Sequence, residues 1–312
     1  PGSLKASLCV SGNAMLYEYC AERGVAHNRL TKIIVAMNAD ETAHLERILE
    51  TGRTNGVVLE MITGEKSRAL EPHVPAVAAL YSPNTGVISA HGLMDALLQD
   101  ARGHGATFQA RAEVCGLERR DADYRVSIRT PGGVETFTSE RVINAAGLDC
   151  DTVAGLSGID LDAAGYRLHY CKGSYFSVSG PKARYVSRLV YPVPTHVSLG
   201  VHALVDVAGR VRFGPDAEFI DRAQDYRVAP EKRASFVAGV RRLVPEIGDD
   251  DLAPDISGIR PKVQAPGDPP RDFIIREEGD RGLPGLINLI GIESPGLTSC
   301  LAIAKHVEGL VS

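Results

Sequence analysis

Between Gly285 and Val307 the chain reads Gly-Leu-Ile-Asn-Leu-Ile-Gly-Ile-Glu-Ser-Pro-Gly-Leu-Thr-Ser-Cys-Leu-Ala-Ile-Ala-Lys-His-Val, and few folds accommodate such a run. Leu286 to Ile290 is a short apolar stretch of strand length. Gly291 ends it. Ser294 then offers an N-cap oxygen, and Pro295 suits the first helical position, where a missing N–H costs nothing. Leu297, Leu301, Ala304 and Val307 keep one face of the following helix apolar. A buried strand that turns through glycine straight into a small-residue helix start belongs to α/β layering. Bare N–H groups and the positive end of the helix dipole would favour an anionic ligand atom there. The same residues also suit an ordinary capped helix.

Upstream, the hydrophobic period changes from block to block. Ser3 to Gly24, Asp40 to Gly52, His91 to Gly103 and Glu231 to Val244 read as helices, with caps or glycine stops at their ends. Leu30 to Met37 and Ala76 to Tyr81 read as strands. From Ala106 to Asn144 the period is two, with Pro131-Gly132-Gly133 as a hairpin turn. The meander runs into Arg141-Val-Ile-Asn-Ala-Ala-Gly147, a strand whose end lets a backbone or ligand approach closely, followed by a helical return over 148–156. Tyr175 to Val178, Val186 to Tyr191, Val197 to Val205 and Arg210 to Phe213 read as further strands, and Phe273-Ile-Ile leads back to the opening motif. Such blocks fit neither one doubly wound sheet nor one sandwich. They predict an α/β (α+β) chain of two domains whose segments interleave.

A net charge of −5 argues against a nucleic-acid surface, and no apolar run is long enough for a membrane span. The six cysteines form no zinc-spaced cluster, so no metal site is expected; they read as reduced thiols of a cytoplasmic protein, or one peripheral to a membrane. No GxSxG, HExxH or phosphate-binding loop is present. Candidates for chemistry are therefore few. His202 follows a β-rich run and can accept a proton near neutral pH, although a strand histidine is often a structural hydrogen-bonder. Arg260, between Gly258 and Pro261, could fork onto a carboxylate or serve a structural ion pair. Lys172, Tyr175 and Tyr191 are weaker candidates, and Asp149 and Asp151 read as helix caps.

These stretches together carry a resemblance. Ser3-Leu-Lys-Ala-Ser-Leu-Cys-Val, Leu16-Tyr-Glu-Tyr-Cys, Val142-Ile-Asn-Ala-Ala-Gly-Leu, Tyr191-Pro-Val-Pro, Leu199-Gly-Val-His, Gly258-Ile-Arg-Pro and Leu289-Ile-Gly-Ile-Glu-Ser-Pro-Gly-Leu-Thr-Ser span nearly the whole chain. In that order they resemble flavoproteins of the D-amino-acid-oxidase superfamily, and within it the L-2-hydroxyglutarate dehydrogenase/oxidase group. The resemblance implies FAD, bound in a Rossmann-like domain interleaved with a mixed-sheet substrate domain. It implies Val114 at the adenine, Ala145, Ala146 and Gly147 beside the pyrophosphate and ribose, and Gly291 with Pro295, Gly296, Leu297 and Thr298 at the isoalloxazine. It further implies a small 2-hydroxy acid as substrate, with Arg260 on its carboxylate, His202 as base, and Tyr191 and Lys172 nearby. An amine oxidase acting on an amino acid or sarcosine, or a non-catalytic protein that kept the fold, are the alternatives. The electron acceptor (oxygen, a quinone or a protein) is not specified by these residues.

The family's opening βαβ unit with its GxGxxG fingerprint does not occur in the sequence. Pro1 falls where the family's chain is already past that unit, so the sequence reads as a fragment, expected to lack the leading strand of its FAD sheet. The expected division assigns residues 1–28, 87–165 and 255–312 to FAD binding, and 29–86 and 166–254 to the substrate domain.

Overall fold

The structure is a computed structural model and describes residues 1–194, 200–222 and 225–311. The chain opens with α1 (Leu4–Glu22), then β1 (His27–Asn28), β2 (Lys32–Ala36), α2 (Ala39–Thr54), β3 (Glu60–Thr63), α3 (Gly64–Leu70), β4 (Ala78–Ser82), β5 (Val87–Ile88) and α4 (Ala90–Gly103). Next come β6 (Glu113–Arg119), β7 (Tyr124–Thr130), β8 (Gly133–Ser139), β9 (Val142–Asn144), α5 (Cys150–Leu156) and α6 (Leu161–Ala164). The remainder is β10 (His169–Val178), β11 (Leu189–Pro192), β12 (His202–Val205), β13 (Val211–Gly214), β14 (Glu218–Ile220), α7 (Arg233–Leu243), β15 (Leu252–Lys262), β16 (Ile274–Glu278), β17 (Leu283–Ile290) and α8 (Gly296–Val311). Residues 197–199 of the strand expected over Val197–Val205 lie outside the described residues. Among the described residues no helix is long and apolar enough to cross a membrane.

Helix starts follow their capping chemistry. The hydroxyl of Ser3 accepts the Ala6 amide, and Asn38 and Ser89 cap α2 and α4 in the same way. Asp272 adds a carboxylate to the start of α1, accepting the Leu4 and Lys5 amides at 2.6 and 2.9 Å. The expected cap of α8 shifts. Pro295 stands one residue earlier than expected, its carbonyl accepting the Ser299 amide at 3.0 Å, because the Gly296 amide is turned back onto the Glu293 carbonyl. Asp149 does not cap α5 with its side chain either, whereas Asp151 Oδ1 accepts the first-turn amide of Thr152 at 2.7 Å. Both face Arg222, at 2.9 and 3.4 Å.

Two sheets position everything that follows. The large one orders its strands β14-β10-β13-β12-β11-β2-β4-β3, with β15 along the other side of β10. The boundary expected at 255 thus falls inside β15. Its side chains alternate across the pleat. Ile33, Val35, Ala79, Phe176, Val190, Ala203 and Phe213 face α7 and bury against Phe236, Val240 and Leu243. The opposite face is covered by α2 only at the β2–β4 end, where Ile34 and Leu80 meet Leu45 and Ile48.

The second sheet orders β16-β17-β9. β17 and β9 are parallel, with Asn288 opposite Asn144. β9 pairs only with β17 among the described strands, and Ile143 within it is 49% exposed. The meander β6-β7-β8 packs Leu117, Tyr124 and Val126 against Cys150 and Leu286, beside this sheet.

Candidate functional site

The carboxyl ends of parallel strands are where an α/β sheet offers its backbone to a ligand. Here β9 ends at Asn144 and β17 at Ile290, side by side, so Ala145–Gly147 and Gly291 leave the sheet at the same edge. Ala145, Ala146 and Gly147 are all exposed. Gly291 turns the chain with φ +68, in the left-handed region that L side chains avoid, and a Cβ there would meet Val263 Cγ1 at 2.8 Å. Its amide lies near the thiol of Cys150 at the start of α5 and acts to lower that thiol's pKa against burial. Val114, on β6, packs against the cluster that contains Cys150 and Ile290.

α8 starts beside these turns. In its first turn the amides of Gly296 and Ser299 are taken, whereas those of Leu297 and Thr298 form no backbone bond among the described residues. Leu297 is also half exposed. The residues present therefore fit FAD on this structure's own terms: an open turn at two parallel strand ends, and two bare helix-start amides for an anionic edge.

Beneath the turns lies a buried polar network. Asn144 Nδ2 donates to the Cys150 carbonyl (2.7 Å) and to Asn288 Oδ1 (2.8 Å). Asn288 Nδ2 donates to Glu278 (2.9 Å), which also accepts from the Tyr166 hydroxyl (2.6 Å) and from Arg281. Burial and the adjacent Glu278 push the Tyr166 phenol up to about 12.

The candidate substrate residues gather on the large sheet, on the face away from α7. His202 opens β12 opposite Gly214, and Val190 pairs with Ala203, which sets Tyr191 beside His202. The two rings stack at 3.9 Å between centroids. His202 is 4% exposed, and its Nδ1 lies 3.2 Å from the Gly200 carbonyl. With Nδ1–H donating to that carbonyl, Nε2 is left as an acceptor. Burial lowers the imidazole pKa to about 4, and the charges of Lys32 and Arg260 push in the same direction, so the ring is neutral at physiological pH. Burial, and then the neighbouring Tyr175, raise the Tyr191 phenol.

Arg260 leans from β15 across β10 to the same region. Gly173 makes this possible: a Cβ there would sit 2.7 Å from Arg260 Nη2. Among the described residues the guanidinium makes two long polar contacts, to Cys171 Sγ and the Asp216 carbonyl, both at 3.5 Å. The nearby Asp216 carboxylate is occupied by the Ser174 amide (2.6 Å) and Lys232 (2.7 Å). Arg260 thus forms no ion pair among the described residues, and its fork is open to an incoming carboxylate. Lys172 takes a different course. It donates to the Arg227 carbonyl at 2.6 Å, and strand alternation sends it to the face opposite Gly173.

One residue of the site escaped sequence reasoning. Lys32, on β2, places its ammonium 5.0 Å from the centre of the Tyr191 ring. The only sequence signal was a lysine inside an otherwise apolar strand, which also describes an edge strand.

A family model described as FAD dependent oxidoreductase matches residues 1–310. The mitochondrial L-2-hydroxyglutarate dehydrogenase of Arabidopsis thaliana is 37% identical over 350 residues, covering 98% of this chain and 71% of that protein. The Caenorhabditis elegans protein of the same name is 27% identical, over 98% of this chain and 79% of its own length. Among solved structures, FAD-bound L-α-glycerophosphate oxidase from Mycoplasma pneumoniae superposes with a TM-score of 0.87 at 24% identity, covering all of this chain and 80% of that one. Glycine oxidase from Geobacillus kaustophilus gives a TM-score of 0.74 at 22% identity, over 97% and 78%. At these identities the two structures show a shared fold.

Proposed function

This chain belongs to the family of FAD-dependent oxidoreductases, and on that premise we propose that it oxidises a small 2-hydroxy acid, L-2-hydroxyglutarate, to the 2-oxo acid. The observation that carries this reading is the convergence of an unpaired guanidinium, Arg260, and a neutral imidazole, His202, on one sheet face. The similarity to the Arabidopsis L-2-hydroxyglutarate dehydrogenase supports the choice of substrate.

In this reading Arg260 forks onto the carboxylate next to the reacting carbon. His202 Nε2 accepts the proton of the C2 hydroxyl, and Tyr191 holds the imidazole plane by stacking. Ala145–Gly147, Gly291, Pro295–Thr298 and Val114 hold the cofactor. FAD, when bound, supplies the two-electron acceptor for the C2 carbon. A neutral histidine suits an alcohol, whose proton must leave during oxidation. A reducing compartment such as the cytoplasm is part of the same reading, in keeping with six free cysteines.

The test is anaerobic mixing of the FAD-loaded protein with a panel of 2-hydroxy and 2-amino acids while flavin absorbance is followed. Bleaching by L-2-hydroxyglutarate is expected, and bleaching by amino acids alone would replace this reading with an amine oxidase. Arg260→Ala should raise KM for the acid by about 10–100-fold, the value of a hydrogen-bonded charge, with a smaller change in kcat. An unchanged KM would remove Arg260 from the substrate.

A further inference from the structure

We propose that Lys32 is the second cation of the substrate site, holding the far carboxylate of a short dicarboxylate while Arg260 holds the near one. This rests on the reading above and adds the group that selects a diacid over a monoacid.

The placement follows from strand pairing. β2 lies parallel to β11, with Leu189 opposite Lys32 and Tyr191 opposite Ile34. Ile33 and Val35 face the α7 core, so Lys32 shares the other face with Tyr191 and His202. Its ammonium is 5.0 Å from the Tyr191 ring centre, and that ring is 3.9 Å from His202, so the ammonium lies at most 5.0 Å plus 3.9 Å from the imidazole centre. A five-carbon diacid keeps its C2 oxygen and far carboxylate roughly 5 Å apart. With a charge-assisted hydrogen bond of about 2.8 Å at each end, the path bends to fit within that bound.

Lys32 is also chemically unfinished. Lys5, Lys66, Lys182, Lys232 and Lys262 each pair with a carboxylate, and Lys172 donates to a carbonyl. Lys305 has no such partner among the described residues but is exposed on α8. Lys32 is half-buried, lies over the face of Tyr191, and forms no ion pair among the described residues. Burial lowers its pKa, and the neighbouring Cys9 acts weakly against that. A desolvated cation without a counter-charge is costly, and a bound carboxylate would relieve that cost.

Lys32 also borders open space, in a wall that does not include His202, Tyr191 or Arg260. A cavity of about 390 Å³ opens between α1, α2 and the turn after β4, with Asn13, Ser82 and Thr85 in its wall. No carboxylate lines it among the described residues, and Lys32 supplies its single charge.

The experiment compares FAD-loaded wild type, Lys32→Met and Lys32→Arg. KM and kcat are measured for L-2-hydroxyglutarate and for the monoacid L-2-hydroxybutyrate, and calorimetry measures binding of unreactive glutarate and butyrate. Lys32→Met is expected to raise KM for the diacid about 10–100-fold, to change the monoacid far less, and to weaken glutarate by a similar factor. Lys32→Arg should recover part of the loss. Equal losses for diacid and monoacid, or unchanged glutarate affinity in a variant that keeps its flavin spectrum, would overturn the assignment. If wild type oxidises no 2-hydroxy acid yet binds glutarate through Lys32, the functional reading fails and this one stands.

Discussion

His202→Ala is expected to slow anaerobic flavin reduction by L-2-hydroxyglutarate by about 10²–10⁴-fold, the usual contribution of a positioned general base. The flavin spectrum should survive, because His202 stands on the large sheet and not among the turns after β9 and β17. The pH profile gives an independent readout. Burial, assisted by Lys32 and Arg260, sets the free imidazole near 4, so kcat/KM should stay flat through neutrality and fall only in acid. Lys32 on β2, Arg260 on β15, and the phenols Tyr191 and Tyr175 are the titratable groups placed around it. A bound dianion would offset both cations, so the acid limb of kcat should lie at higher pH than that of kcat/KM. Identical limbs, or reduction at the wild-type rate in His202→Ala, would remove the base assignment.

The same shift makes a stability statement. A histidine whose folded pKa is about 4, against 6.5 unfolded, is held neutral by the fold. As pH falls from about 6.5 towards 4 the unfolded chain takes up the proton first, so stability is present above that window and declines through it. The decline amounts to roughly 3 kcal/mol at the usual 1.36 per pKa unit. His202→Ala should flatten that part of the stability profile whether or not the residue is catalytic, so a kinetic effect and a folding effect can be told apart.

Legibility in the sequence followed the range of the interaction. α1, α2, α4 and the β6–β8 meander announce themselves because caps, stops and hydrophobic period all lie within one short window. The strand-to-helix turns at Gly147 and Gly291 were legible for the same reason. β3 and α3 were not, since Glu60–Leu70 mixes charge with few apolar residues and gains its place only by pairing with β4. The character of the site residues was least legible. Arg260 reads equally as an ion-pair arginine, and its freedom depends on Lys232, distant in sequence, having taken Asp216. Lys32 becomes a site residue only through the parallel pairing of β2 with β11, which no local pattern encodes.

Glu278→Ala is expected to destabilise the fold by about 3–5 kcal/mol, the cost of breaking a buried charge pair from one side. Glu278 is wholly buried and accepts from Tyr166, Asn288 and Arg281. Its loss strands Arg281, only 29% of whose side chain is exposed, and leaves the Tyr166 hydroxyl and Asn288 amide without their acceptor. The effect should appear as a lower urea midpoint, with the slope unchanged if the native surface is preserved. Glu278→Gln, of the same shape but neutral, should recover part of the loss and no more, because an amide cannot balance the guanidinium. The network reaches further than β16. Asn288 holds Asn144, and Asn144 holds the Cys150 carbonyl, so the turn at Ala145–Gly147 hangs from Glu278 through two amides. FAD affinity should therefore weaken in Glu278→Ala, while the reduction rate per bound flavin stays near wild type, since His202 and Arg260 belong to the other sheet. An unfolding free energy within about 0.5 kcal/mol of wild type, the range of ordinary surface substitutions, would show that the network contributes no stability. A slowed reduction with full flavin occupancy would show that the two sheets are mechanically coupled at the site.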